Sequence, residues 1–104
     1  MIVVSLLVSN EDSELDREYF NLLQNYPNPF NPSTVISFSI SSSSIVKLSV
    51  YNMLGQEVAT LLNSQFSAGS HSISFDATSL SSGIYLYRIQ AGKYVQTKQM
   101  MLIK

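Results

Sequence analysis

The chain's one histidine, His71, stands between Ser70 and Ser72 and shortly before Asp76, which are the residue types of a nucleophilic triad. That chemistry needs a serine hydroxyl and a carboxylate to reach the two nitrogens of one imidazole. Residues 70–76 alternate polar and apolar as a strand does, so Ser70 and Ser72 share one face and His71 lies on the other. A triad does not close there, and His71 reads as a solvent-facing strand residue. Glu57 and Asp76 are the only acidic side chains beyond residue 18, and nothing spaces them as the paired acids of glycoside hydrolysis. Asp76 reads instead as a pin that holds the loop over 77–83 through its backbone amides.

Three further patterns could bind a ligand. Asp12, Glu14 and Asp16 match the first three liganding positions of a calcium loop, but Arg17 occupies the sixth, where a glycine must make the sharp turn. The stretch reads as a solvated acidic linker, and no metal is expected. Without cysteine there is no thiolate nucleophile, disulfide or Cys-type zinc site. Tyr85 and Tyr87 share a strand face and could stack on a sugar. The competing reading makes them core aromatics of a central strand, with their hydroxyls at its edge. No cofactor and no catalytic residues are expected.

The elements that would carry these residues are strands. Ile36, Phe38 and Ile40 alternate with serines, and Val46, Leu48 and Val50 repeat the pattern up to a turn at Asn52-Met53-Leu54-Gly55. Glu57 to Leu62 is ambiguous by period, but Val58 and Thr60 favour a strand, with 63–69 looping back. Ser70 to Asp76 puts Ile73 and Phe75 inward. Gly83 to Ile89 is apolar on both faces, as a strand covered on two sides would be. Ala91-Gly92-Lys93 is a hairpin turn and Tyr94 to Ile103 a closing strand. Such a series, without a long helix, predicts an all-β fold: an immunoglobulin-like antiparallel sandwich of about seven strands.

The 104 residues suit one domain with a short leader, here 1–20 and 21–104. Met1 to Val8 reads as a strand that either ends a preceding domain of a longer parent or joins the sheet that follows; it lacks the basic start of a secretory signal. Five acids against Arg17 make residues 1–18 net negative, and the five cations beyond them are scattered, so neither a nucleic-acid footprint nor direct membrane insertion is expected. All three prolines fall in Asn25-Tyr26-Pro27-Asn28-Pro29-Phe30-Asn31-Pro32, which cannot be helix and reads as a rigid loop setting the first strand.

From about Leu22 to Lys104, these blocks together resemble the C-terminal sorting domains of the type IX secretion system of Bacteroidetes and related bacteria. The resemblance rests on Asn25–Pro32, Val50–Val58, Ala68–Ala77, Leu80–Ile89 and the ending Leu102-Ile103-Lys104. It implies an export signal for an N-terminal passenger. Its partners would be the outer-membrane translocon and a sortase, and its destination the medium or the cell surface, reached via the periplasm. Carried over by motif, recognition would fall to Pro27, Asn28, Pro29, Gly83, Tyr85, Lys98, Leu102 and Lys104, with the last strand offering unpaired edge groups to its receptor. Cleavage would fall between Ser9 and Asn21. The alternative is a non-catalytic immunoglobulin-like module that binds carbohydrate or serves as an assembly scaffold.

Overall fold

The computed structural model describes residues 20–104, so the acidic linker and the expected strand at Met1 to Val8 lie outside the described residues. Seven strands follow in order: β1 (Asn21–Leu22), β2 (Ser33–Ile40), β3 (Ser44–Tyr51), β4 (Glu57–Phe66), β5 (Gly69–Asp76), β6 (Gly83–Ala91) and β7 (Tyr94–Leu102). They form two antiparallel sheets, ordered β1-β2-β5 and β4-β3-β6-β7.

Period-two patterning explains which faces meet. Ile36, Phe38 and Ile40 of β2 are buried against Val46, Leu48 and Val50 of β3 and Tyr85, Tyr87 and Ile89 of β6. Burying each large apolar side chain contributes roughly 1.5–3 kcal/mol, so these rows dominate the stability. Phe75 joins them and meets Phe30 at 6.3 Å between ring centroids.

Three expectations change. β4 runs on to Phe66, and the chain crosses between sheets through Ser67 and Ala68 alone. Asn63 to Phe66 pair without interruption with Lys47 to Ser44 of β3, which carries the strand past the expected stop, while two bulges nearer its start place Leu61 and Val58 as extra residues. β6 is central by hydrogen bonding but covered on one face, since Ile84 and Leu86 point outward and are half-exposed. His71 is not solvent-facing: its ring lies half-buried between Phe38 and Phe66, at centroid distances of 5.4 and 5.0 Å, with Nε2 2.7 Å from the Ser67 carbonyl oxygen. The inward row that carries Ile73 and Phe75 carries His71 as well.

Candidate functional site

The proline-containing segment forms a strap across the outer edge of β7. Leu22 N–H donates to the Gln96 side chain at 3.1 Å, and Gln24 Nε2 donates to the Gln99 carbonyl at 2.7 Å. Further along, Met101 N–H reaches Asn28 Oδ1 at 3.0 Å. Phe30 N–H donates to Met101 O and Phe30 O accepts from Ile103 N–H, each at 2.9 Å, so Phe30 adds a parallel bridge to Leu102. The end of β7 therefore does not offer the unpaired backbone expected of it, because Asn28 and Phe30 already hold those groups.

A buried polar knot fixes the strap from beneath. The Tyr87 hydroxyl accepts from Asn25 N–H at 2.8 Å and donates to Leu23 O at 2.7 Å. Asn25 Nδ2 donates to Pro27 O and Thr34 Oγ1, and Thr34 Oγ1 donates to Pro27 O in turn. All three X-Pro bonds, at Pro27, Pro29 and Pro32, are cis. Burial pushes the Tyr87 hydroxyl up to about 12, against a small opposing effect of the Asn25 amide. A raised pKa means that the native state holds this proton more tightly than the unfolded chain. The stability it contributes is thus full below about pH 10 and lost as pH rises through about 12. Titrating tyrosinate absorbance should show a late step near pH 12, coincident with unfolding, that belongs to Tyr87. Tyr87→Phe should remove that late step and lower stability by about 1–3 kcal/mol, since Asn25 N–H and Leu23 O lose their partner. The same substitution leaving urea stability unchanged would contradict the knot.

The strap delivers its loop to one pole of the sandwich, where other motif blocks end. Ala77 N–H donates to Pro32 O at 2.9 Å, and Gly83 pairs with Leu102 across the β6–β7 ladder. Gly83 takes φ +155, with open space where a Cβ would stand, so its constraint is backbone conformation rather than crowding. The Tyr85 hydroxyl donates to Ser81 O at 2.6 Å and shapes the 77–83 loop from below. Lys104 N–H donates to Ser82 Oγ at 3.0 Å and its Nζ to Thr78 O. As expected, Asp76 pins this loop: Oδ1 accepts from the Thr78 hydroxyl and from Thr78 N–H. The Thr78 hydroxyl and then its amide hold the Asp76 carboxyl below the usual range; slight desolvation opposes them and the Lys104 charge assists.

Beside these segments lies the turn after β3, which the motif reading included but the expected site did not. Asn52 Oδ1 accepts from Leu54 N–H and Gln56 N–H, both at 3.0 Å, and Nδ2 donates to Gln56 Oε1 at 2.8 Å. Gly55 closes the turn at φ +84, a conformation open to glycine at little cost. The result is a rigid tip that presents Met53 and Leu54 at 66% and 84% exposure. An asparagine three residues before a glycine, bracketing two large apolar residues, was the available sequence signal.

The expected site residues are thus sorted. Pro27, Asn28, Pro29 and Lys104 are exposed at the pole, whereas Tyr85 and Leu102 are buried beneath it. Lys98 is not brought there: it pairs with Tyr87 partway down β7, half-buried. Tyr85 and Tyr87 fill the core, so they form no sugar platform. Among the described residues no cluster of potential metal ligands occurs and no helix is long and apolar enough to cross a membrane.

Comparison with known proteins adds three findings. A family model described as the secretion system C-terminal sorting domain matches residues 24–104. No curated protein matches the chain. Among solved structures, PorZ, described as an essential bacterial surface component of the type IX secretion system of Porphyromonas gingivalis, aligns at TM-score 0.53 and 13% identity over 86% of this chain, which spans 12% of that one. A Bacteroides vulgatus protein described as an immunoglobulin-like β-sandwich aligns at TM-score 0.51 and 12% identity, covering 79% of this chain and 94% of that one. The CARDB domain of a Pyrococcus furiosus protein aligns at TM-score 0.52 and 12% identity, covering 83% and 90%. At such identities the likeness is one of fold, an immunoglobulin-like sandwich.

Proposed function

The chain belongs to the secretion system C-terminal sorting domains, and from that premise we propose that the pole described above is the face its export machinery reads. A domain of this family is a sorting signal for type IX secretion and serves export to the cell surface or beyond. In this reading the translocon contacts the exposed Pro27, Asn28, Pro29 and Lys104 together with the tip at Met53 and Leu54. Gly83, Tyr85 and Leu102 act as positioning residues that hold the 77–83 loop and the chain end. Lys98, lower on β7, supplies a flanking charge. The domain performs no catalysis. It follows a passenger through the periplasm, and a sortase cuts the chain between Ser9 and Asn21, a range mostly outside the described residues.

The observation that carries this reading is the convergence of separate motif blocks on one pole, through the Phe30 bridge and the Lys104 contacts. A recognition face needs such rigidity, because ordering it beforehand spares the entropy otherwise lost on binding. The test places the full chain behind a reporter carrying a secretory signal, in a bacterium with a working type IX system. Surface reporter should require both the chain and the system. Reporter held in the periplasm although the domain is folded, or reaching the surface without the system, would overturn the assignment.

A further inference from the structure

Among the described residues the sandwich stacks three strands on four, and the mismatch leaves one strand position open beside β5 and over β4. β1 lies near β7, so the surplus falls at the other side, under the free edge of β5. Burial registers it: the inward rows of β3 and β6 are covered, whereas Ala59, Leu62 and Phe66 of β4 with Leu61, and His71 and Ile73 of β5, are only half covered.

Hydrogen-bond direction shows that β5 can receive a strand. Val35 exchanges both backbone bonds with Tyr26, and Ser37 O accepts from Leu23 N–H, so odd residues of β2 face β1 and even ones face β5. Ala77 N–H donates to Pro32 O, which fixes the odd residues of β5 as those bonded to β2. Direction alternates along an antiparallel ladder, so Ser70, Ser72 and Ser74 turn their N–H and C=O groups to the free edge. This edge also lacks the usual guards. β7 carries the strap and β4 has two bulges and Glu57, but β2–β5 is unbroken in register and uncharged from Gly69 to Phe75.

We propose that the β5 edge is a β-augmentation site for one extended segment of another polypeptide. The segment is apolar on the side that covers Leu62 and Phe66. It is small or hydroxylated on the side that continues the serine row, where Ser37 and Ser72 already share a hydrogen bond at 2.8 Å. A second copy joined antiparallel, β5 to β5, does not fit, because it would drive the incoming β4 into space held by the resident β3. This site lies away from the β7 strap, and its test is independent of the export reading.

The experiment titrates the full chain with a blocked heptapeptide of alternating valine and threonine, followed by amide exchange in NMR. Exchange at Ser70, Ser72 and Ser74 should slow in proportion to bound peptide. Ser74→Pro, or Ser70→Pro if the first misfolds, removes an edge-facing N–H without touching the Ser37–Ser72 hydroxyl contact and should abolish binding while the dispersed spectrum remains. Three results would overturn the proposal. One is no slowing at saturating peptide. Another is slowing that grows with protein concentration alone, which gives the edge to a second copy. The third is protection already complete in the dilute chain without peptide, which gives it to a segment of the chain itself.

Discussion

Deleting Leu102, Ile103 and Lys104 is expected to abolish export and also to destabilise the sandwich by about 3–5 kcal/mol. Leu102 is 1% exposed and stands between Gly83 and Phe30, so its loss opens a core cavity at the pole. Removing Ile103 takes the partner of Phe30 O, and removing Lys104 releases Ser82 and Thr78. An export defect in this deletion therefore does not by itself separate a lost signal from a lost fold. Lys104→Ala makes that separation: it truncates one exposed side chain and should leave the unfolding free energy measured in urea within about 0.5 kcal/mol of the parent. Surface reporter that falls with Lys104→Ala marks the chain end as read directly. If it falls only with the deletion, the chain end acts as a structural anchor. A deletion with unchanged urea stability would contradict the placement of Leu102 in the core.

The strands were legible because each core-facing row repeats at every second residue. Ile36-Ser37-Phe38-Ser39-Ile40 allows one register only, since a slip by one residue would expose the whole row. The pattern thins where the sandwich itself thins. Asn63, Ser64 and Gln65 lie on β4, opposite which the described residues place no strand, so their polarity looks like a loop although the backbone is paired. Ile84 and Leu86 misled in the other direction, as apolar residues on a face that stays half open. His71 looked solvent-facing because it is polar and sits between two serines, yet it stands two residues before Ile73 on the inward row, where its ring meets Phe38 and Phe66 of other strands.

The site was legible as motifs but not as a surface. Nothing in Asn28 or Phe30 announces that their bonds run to Met101 and Ile103, more than seventy residues on, because such contacts leave no period in the sequence. Hence the last strand seemed a free edge, when the proline segment already occupies it. The same contacts give the proline segment a second role. It leads into β2 rather than into the first strand, since β1 precedes it, and the strap it belongs to, through Tyr87, Gln99 and Met101, also binds the start of the domain to its end.

Met53→Ser combined with Leu54→Ser should cut surface reporter sharply while leaving the fold intact. Both side chains stand in solvent on a turn held by Asn52, so the substitution removes no core contact and keeps every hydrogen bond of the turn. Stability should remain within about 0.5 kcal/mol. Large apolar side chains held rigidly in water gain when a partner covers them. Covering one such side chain is worth roughly 1.5–3 kcal/mol, so losing even one corresponds to about ten- to a hundredfold in affinity. Ile45→Ser serves as the control: it is also exposed, at 64%, but pairs with Gln65 on β4 toward the opposite pole. A receptor that reads the pole should tolerate the Ile45 change and reject the tip change. Equal export of the two variants would remove Met53 and Leu54 from the recognition face and confine it to the strap loop and Lys104.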